Sequence, residues 1–345
     1  MIEDKKVSEH DDIPLTASEI GFLWAQYVND TLATCVMSYF KNTCKDKEIL
    51  PLIENSLSIA QNDVTIIKDI FSKENHPIPV GFTEEDVNLN APRLFSDAFI
   101  LMYLQKLEVI AMESIGMAIG VSARSDVSDF FRNLLISVSE LHDKARKVML
   151  SKGVYIRPPQ IPMSDKVDFV EKQRYLFDFL GHKRPLTAIE ITHLFMGIQS
   201  NTLGKAMMVA FAQVCKNEDV KQFFLDGKEI ANKHMKKFSS ILSTEDITVP
   251  MGWEAFVLDS TAAPFSDKLM MFHTTYLIAL GIGNYGVAAG TSQRMDLSAT
   301  YVRLAAQIAL YAEDGANIMI KHAWLEEPPK QIDRQALVKQ QKEKK

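Results

Sequence analysis

Pro14-Leu15-Thr16-Ala17-Ser18-Glu19-Ile20 returns as Pro185-Leu186-Thr187-Ala188-Ile189-Glu190-Ile191 in a chain of 345 residues. Outward from this pair the matches continue in order. Cys44-Lys45 pairs with Cys215-Lys216, Pro79-Val80-Gly81-Phe82 with Pro250-Met251-Gly252-Trp253, and Phe95-Ser96-Asp97 with Phe265-Ser266-Asp267. Gly116 and Gly120 pair with Gly286 and Gly290, Arg124 and Asp126 with Arg294 and Asp296, and Pro158-Pro159 with Pro328-Pro329. The spacing, from 14 to 185 at first and from 95 to 265 later, is a domain's length rather than a solenoid unit's. The chain is a tandem duplication.

Within one copy the apolar residues fall at helical spacing. Ile20, Leu23, Trp24, Tyr27, Leu32, Cys35, Val36, Tyr39 and Phe40 line one face of a helix from Ala17 to Cys44. A second helix runs from about Lys47 to Ser72 and stops before His76-Pro77-Ile78-Pro79, where two prolines constrain the backbone. Ser96-Asp97 and Ser125-Asp126 open a third and a fourth. The second copy repeats the plan over 187–215, 217–243, 266–291 and 296–324, and alternating strand patterns do not recur. The loop between the second and third helices of each copy is too long for a simple hairpin, which favours a crossover along the bundle.

The reading is therefore all-α, with two tandem ferritin-like four-helix bundles joined by a linker helix. Residues 1–163 form the first bundle, 164–184 the linker helix, 185–330 the second bundle and 331–345 a charged, frayed tail. A hydrophobic content of 47% with 24% charged residues is that of a globular protein, and a net charge of -6 gives no footprint for nucleic acid. No apolar run is long enough to span a membrane, so a cytoplasmic location is expected. The three cysteines, Cys35, Cys44 and Cys215, lack metal-binding spacing and read as reduced thiols.

Thr16-x-x-Glu19 and Thr187-x-x-Glu190 each have the form of a capping box, which outranks a metal role because a bundle-core ligand lies further along its helix. Glu190-x-x-His193 alone has the Glu-x-x-His form of a di-metal centre, and with Glu229 and His234 it makes the metal-binding alternative. His193, His234, His273 and His322 place one imidazole on each helix of the second copy, but a crossover would split them into two pairs. Gly281-Ile282-Gly283-Asn284-Tyr285-Gly286 matches a dinucleotide fingerprint without the strand that pattern needs. Gly116-x-x-x-Gly120 and Gly286-x-x-x-Gly290 suggest close helix approach, with a ligand against the helix as the weaker reading. Phe82 and Trp253 read as rings that plug a bundle surface, and Met207-Met208 and Met270-Met271 as core filling. No catalytic residue and no cofactor is assigned.

With the Pro-x-Gly-aromatic, Phe-Ser-Asp, Arg-x-Asp and double-proline elements recurring in order, the chain resembles the uncharacterised two-repeat helical proteins of spore-forming Bacillus-type bacteria, related to spore coat protein F. The resemblance covers about residues 15 to 330. It implies a ferritin-like bundle in each repeat, a cytoplasmic or forespore location, and a coat or stress role, and it transfers no ligand set. The function expected is that of a non-catalytic structural or interaction protein, through a protein partner or self-association. The alternatives are a degenerate ferritin-like metal or redox protein and a carrier of a small apolar ligand.

Overall fold

The computed structural model describes residues 13–176 and 183–336. Among them are eight α-helices: α1 (Ala17–Thr43), α2 (Leu50–Lys73), α3 (Asp97–Val121), α4 (Ser125–Ser151), α5 (Ala188–Val214), α6 (Glu218–Thr244), α7 (Asp267–Thr291) and α8 (Met295–Lys321). Both capping boxes form: the Thr16 and Thr187 hydroxyls accept the amides of Glu19 and Glu190, whose carboxylates accept the cap amides in return. Ser96 and Ser266 cap α3 and α7, and Asn217 caps α6. The even-numbered helices end alike. His76, Val154, Ile247 and Trp324 return their amides to Phe71, Met149, Leu242 and Met319. Each return passes a left-handed residue, Asn75, Gly153, Asp246 or Ala323, as in a Schellman motif.

Helix ends fix the topology. Glu19 at the start of α1 accepts the amides of Ala123 and Arg124, both at 2.8 Å, and Arg124 pairs with Glu74 at the end of α2. At the opposite end Lys45 donates its amide to Asp97 at the start of α3, and Lys152 after α4 pairs with Asp46 before α2. So α2 finishes where α1 began, while α3 starts at the far end. The segment 74–96 therefore travels the length of the bundle, and α1 packs on α2 and α3 while α4 packs on the same two. The second half repeats this: Glu190 accepts the Arg294 amide, Arg294 pairs with Glu245, and Asn217 donates to Asp267. Two tandem bundles with long crossovers result, as the loop lengths imply.

The crossovers hold the halves together. Val87 bridges Phe265 and Phe95 bridges Val257, so each position meets the counterpart of the other. The amide bonds obey the same exchange: Asn88 to Pro264 and Leu258 to Leu94, Ser266 to Asp86 and Ser96 to Phe256. This is an isologous interface, built inside one chain by two copies related by a pseudo-twofold axis. Phe82 of the first crossover packs edge-on against Phe272 on α7, and Trp253 of the second against Phe99 on α3. Each ring plugs the opposite bundle. Gly81, which precedes Phe82, has a φ of +63° and would drive a Cβ into the Thr31 hydroxyl, so no other residue fits.

One continuous apolar core runs through both halves, from Tyr39, Phe40 and Phe99 to Phe211, Phe224 and Leu269. A second, smaller cluster of Leu186, Leu194, Phe238, Tyr285 and Tyr301 fills the far end of the second bundle.

Two expectations need correction. The linker helix over 164–184 is reduced, among the described residues, to a single 3-10 turn at Gln173–Tyr175, with 177–182 outside them. Its charges alternate without an apolar stripe, although Tyr175 does dock on the second bundle through Gln293 and under the Arg184 guanidinium. Gly116, Gly120, Gly286 and Gly290 do not mediate helix approach, because a Cβ on any of them would meet nothing within 4 Å. Residues 337–345 of the tail lie outside the described residues.

Candidate ligand cavity in the second bundle

The residues proposed for a metal stand apart. Glu190 is fully buried in the cap of α5, gripped by Arg184 through two bonds of 2.8 Å and by the Thr187 and Arg294 amides. Burial pushes its carboxyl up, but Arg184 and these amides outweigh that and bring it down to about 2. His193 bonds Thr291 at the surface, and Glu229 is exposed beside Lys228. His234 is buried against Tyr285 and Gln307. Nor do the four second-copy imidazoles meet. His273 touches Tyr103 of the first bundle, and His322 stacks on Trp324. Among the described residues, no three His, Cys, Asp or Glu side chains are placed to share a metal ion.

The second bundle instead holds a cavity of about 750 Å³ between α5 and α7, half open and mostly apolar in lining. It separates the two apolar clusters: Met208 and Tyr311 belong to one wall, Tyr285, Tyr301 and Ile308 to the other. Glu113, Ser114 and Met117 on α3 of the first bundle complete its rim. The matching volume in the first bundle is about 140 Å³.

Side-chain size contributes to the difference. Gly197, Gly204, Gly227, Gly281 and Gly283 line the large cavity, where the first copy has Gln26, Ala33, Ser56, Ala111 and Glu113. Three of these glycines, Gly204, Gly281 and Gly283, would accept a Cβ without collision, so they leave volume unfilled. The other two admit rings: a Cβ on Gly227 would strike Tyr311, and one on Gly197 would strike Phe238. An interior helical glycine costs about 0.5–1 kcal/mol against alanine, and all five are within α-helices.

The polar groups near the wall form a relay. Asn201 donates to the Tyr285 hydroxyl at 2.7 Å, that hydroxyl lies 3.0 Å from His234 Nδ1, and His234 Nε2 lies 3.2 Å from Gln307. Burial lowers the His234 pKa, so the ring is neutral and the relay uncharged at neutral pH. At the equivalent places the first bundle carries Asp30 and Asp63, both buried. Burial pushes Asp63 up to about 7, and burial with the neighbouring Asp63 charge raises Asp30. Glu108 is buried beside His142 with neither carboxyl oxygen hydrogen-bonded, and burial raises it to about 7 despite the imidazole. Sequence reasoning passed over these acids. Each lies at a core position of its helix, and that misplaced charge is the signal that could have found them.

A profile of the family described as "Protein of unknown function (DUF3231)" matches the chain twice, over residues 5–167 and 175–337. None of the curated proteins compared with the chain matches it. A solved structure described as a "putative spore coat protein" from Bacillus halodurans C-125 is 20% identical, with a TM-score of 0.40. The match covers 98% of that chain and 44% of this one.

Proposed function

Since the chain belongs to the DUF3231 family, which has no described activity, we propose from the geometry that it is a non-catalytic binding protein whose second bundle carries a small, mainly apolar ligand. The observation that supports this is the cavity itself, about 750 Å³ in the second bundle against about 140 Å³ in the first, with Gly204 and Gly281 on its wall where the first copy has Ala33 and Ala111. An apolar interior of this kind forfeits dispersion contacts that its counterpart keeps, and an occupant restores them. The volume lies within the range of small-molecule sites, with few polar groups among apolar ones.

Titration with N-phenyl-1-naphthylamine, a neutral dye that brightens in apolar surroundings, tests the proposal. Saturable one-to-one binding is expected, abolished by Gly204→Leu, which fills the cavity, and retained by Gly120→Leu, which adds the same side chain on the exposed face of α3. Absence of saturable binding, or equal binding by Gly204→Leu, refutes it.

No helix of the described residues is long and apolar enough to cross a membrane. The cytoplasmic, forespore or coat location that the sequence resemblance implies belongs to this proposal too, and a fluorescent fusion followed through sporulation checks it.

A further inference from the structure

Resting on the carrier reading, we infer that the ligand of the second-bundle cavity is a single-chain neutral lipid, of the long-chain alcohol or monoacylglycerol class, lying along α5 and α7 with its head toward His193. Length comes first. The lining extends along α5 from His193 to Met208 and along α7 from Thr274 to Ala288. At 1.5 Å per residue each stretch is about 21–22 Å long. A lining of that length accommodates one extended hydrocarbon chain.

Charge selects the head. No lysine or arginine lines the cavity, and the one carboxylate on its rim is Glu113, contributed by α3. A phosphate or carboxylate head would enter without a counter-charge among the lining residues, which is the costly way to bury an ion. A hydroxyl or glycerol head asks only for hydrogen bonds. His193 supplies a ring nitrogen near the start of α5, where Thr291 beside it at the end of α7 is exposed. The opposite end is lined by Met208, Ile230 and Tyr311, and the Tyr311 hydroxyl is already committed to the Phe223 carbonyl. That end suits a terminal methyl, and the methionine adapts to chain length.

The rim from α3 adds that the site is complete only when both bundles are docked, so ligand binding and the inter-bundle interface are linked.

The test is displacement of bound N-phenyl-1-naphthylamine from the full chain by four probes: 1-monododecanoylglycerol, dodecanoate, dodecyl phosphate and cholesterol. The neutral ester is expected to displace the dye at about tenfold lower concentration than either anion, with no displacement by the sterol. Val287→Lys, which places a cation at the head end one turn before Thr291, is expected to bring dodecanoate to at least parity with the ester. Equal or better displacement by an anion from the unaltered chain, displacement by cholesterol, or no gain for dodecanoate in Val287→Lys overturns the assignment while leaving the carrier reading intact. Failure of the dye itself to bind removes the carrier reading as well.

Discussion

Tyr103 and His273 occupy the same position in the two copies and meet each other, the phenol oxygen 2.6 Å from Nε2 and the rings stacked with centroids 5.7 Å apart. A residue reaches its own counterpart only on the axis that relates the copies, so this pair marks the pseudo-twofold. One member is a phenol and the other an imidazole, which gives the axis a donor and an acceptor where two identical rings would offer matching groups. Burial brings His273 down to about 4, so the ring is neutral and accepts from Tyr103.

Removing the phenol hydroxyl with Tyr103→Phe leaves a buried imidazole nitrogen without its partner. The expected loss is about 1–3 kcal/mol of unfolding free energy, read from denaturant titration. A loss within error would show that the contact contributes nothing.

The two bundles should respond to pH in opposite directions. In the first, burial raises Asp63 and Glu108 to about 7. In the native state these carboxyls keep protons that the unfolded chain gives up near its ordinary range. Their contribution is fully present below about pH 4 and is lost as pH rises through about 7. In the second, burial lowers His234, and His273 reaches about 4. Native rings then stay neutral where unfolded ones charge, so stability is present above about pH 6.5 and is lost as pH falls toward 4. Amide exchange, corrected for intrinsic rates, should show α2 and α3 opening more at about pH 8 than at about pH 5, and α6 the reverse. Asp63→Asn together with Glu108→Gln should flatten the first trend.

Cutting the linker should not part the halves. Residues 160–174 are exposed, whereas the crossovers exchange four amide bonds and share one apolar core. Limited proteolysis there is expected to give two fragments that co-elute in size-exclusion chromatography under native conditions. Separate elution would mean that the crossovers do not hold without the tether.

Glu190→Ala would remove the carboxylate that Arg184, Thr187 and Arg294 all address at a fully buried position. The cost expected is about 3–5 kcal/mol, the range for stranding one partner of a buried ion pair. Glu19→Ala makes the same change in a cap with no arginine on the carboxylate and should cost less, a comparison that thermal melts of the two variants would check.

The all-α class, the duplication, both capping boxes and the crossover could be read from local features, because a Thr-x-x-Glu cap, a Pro-Gly break or a helical stripe acts through residues within a few positions of one another. The aromatic plugs were visible as Phe82 and Trp253, but which bundle each would plug was not. That, the Tyr103–His273 axis and the exchanged bonds of Asp86, Asn88, Leu94 and Ser96 depend on how two distant loops meet. Gly281 and Gly283 were noticed as a pattern, yet only their neighbours in space show that they face an unfilled volume while Gly286 and Gly290 face outward. Periodicity and caps are properties of a segment and survive in the bare sequence. A cavity, an axis and a buried acid are properties of several segments packed together, and only the tertiary structure decides them.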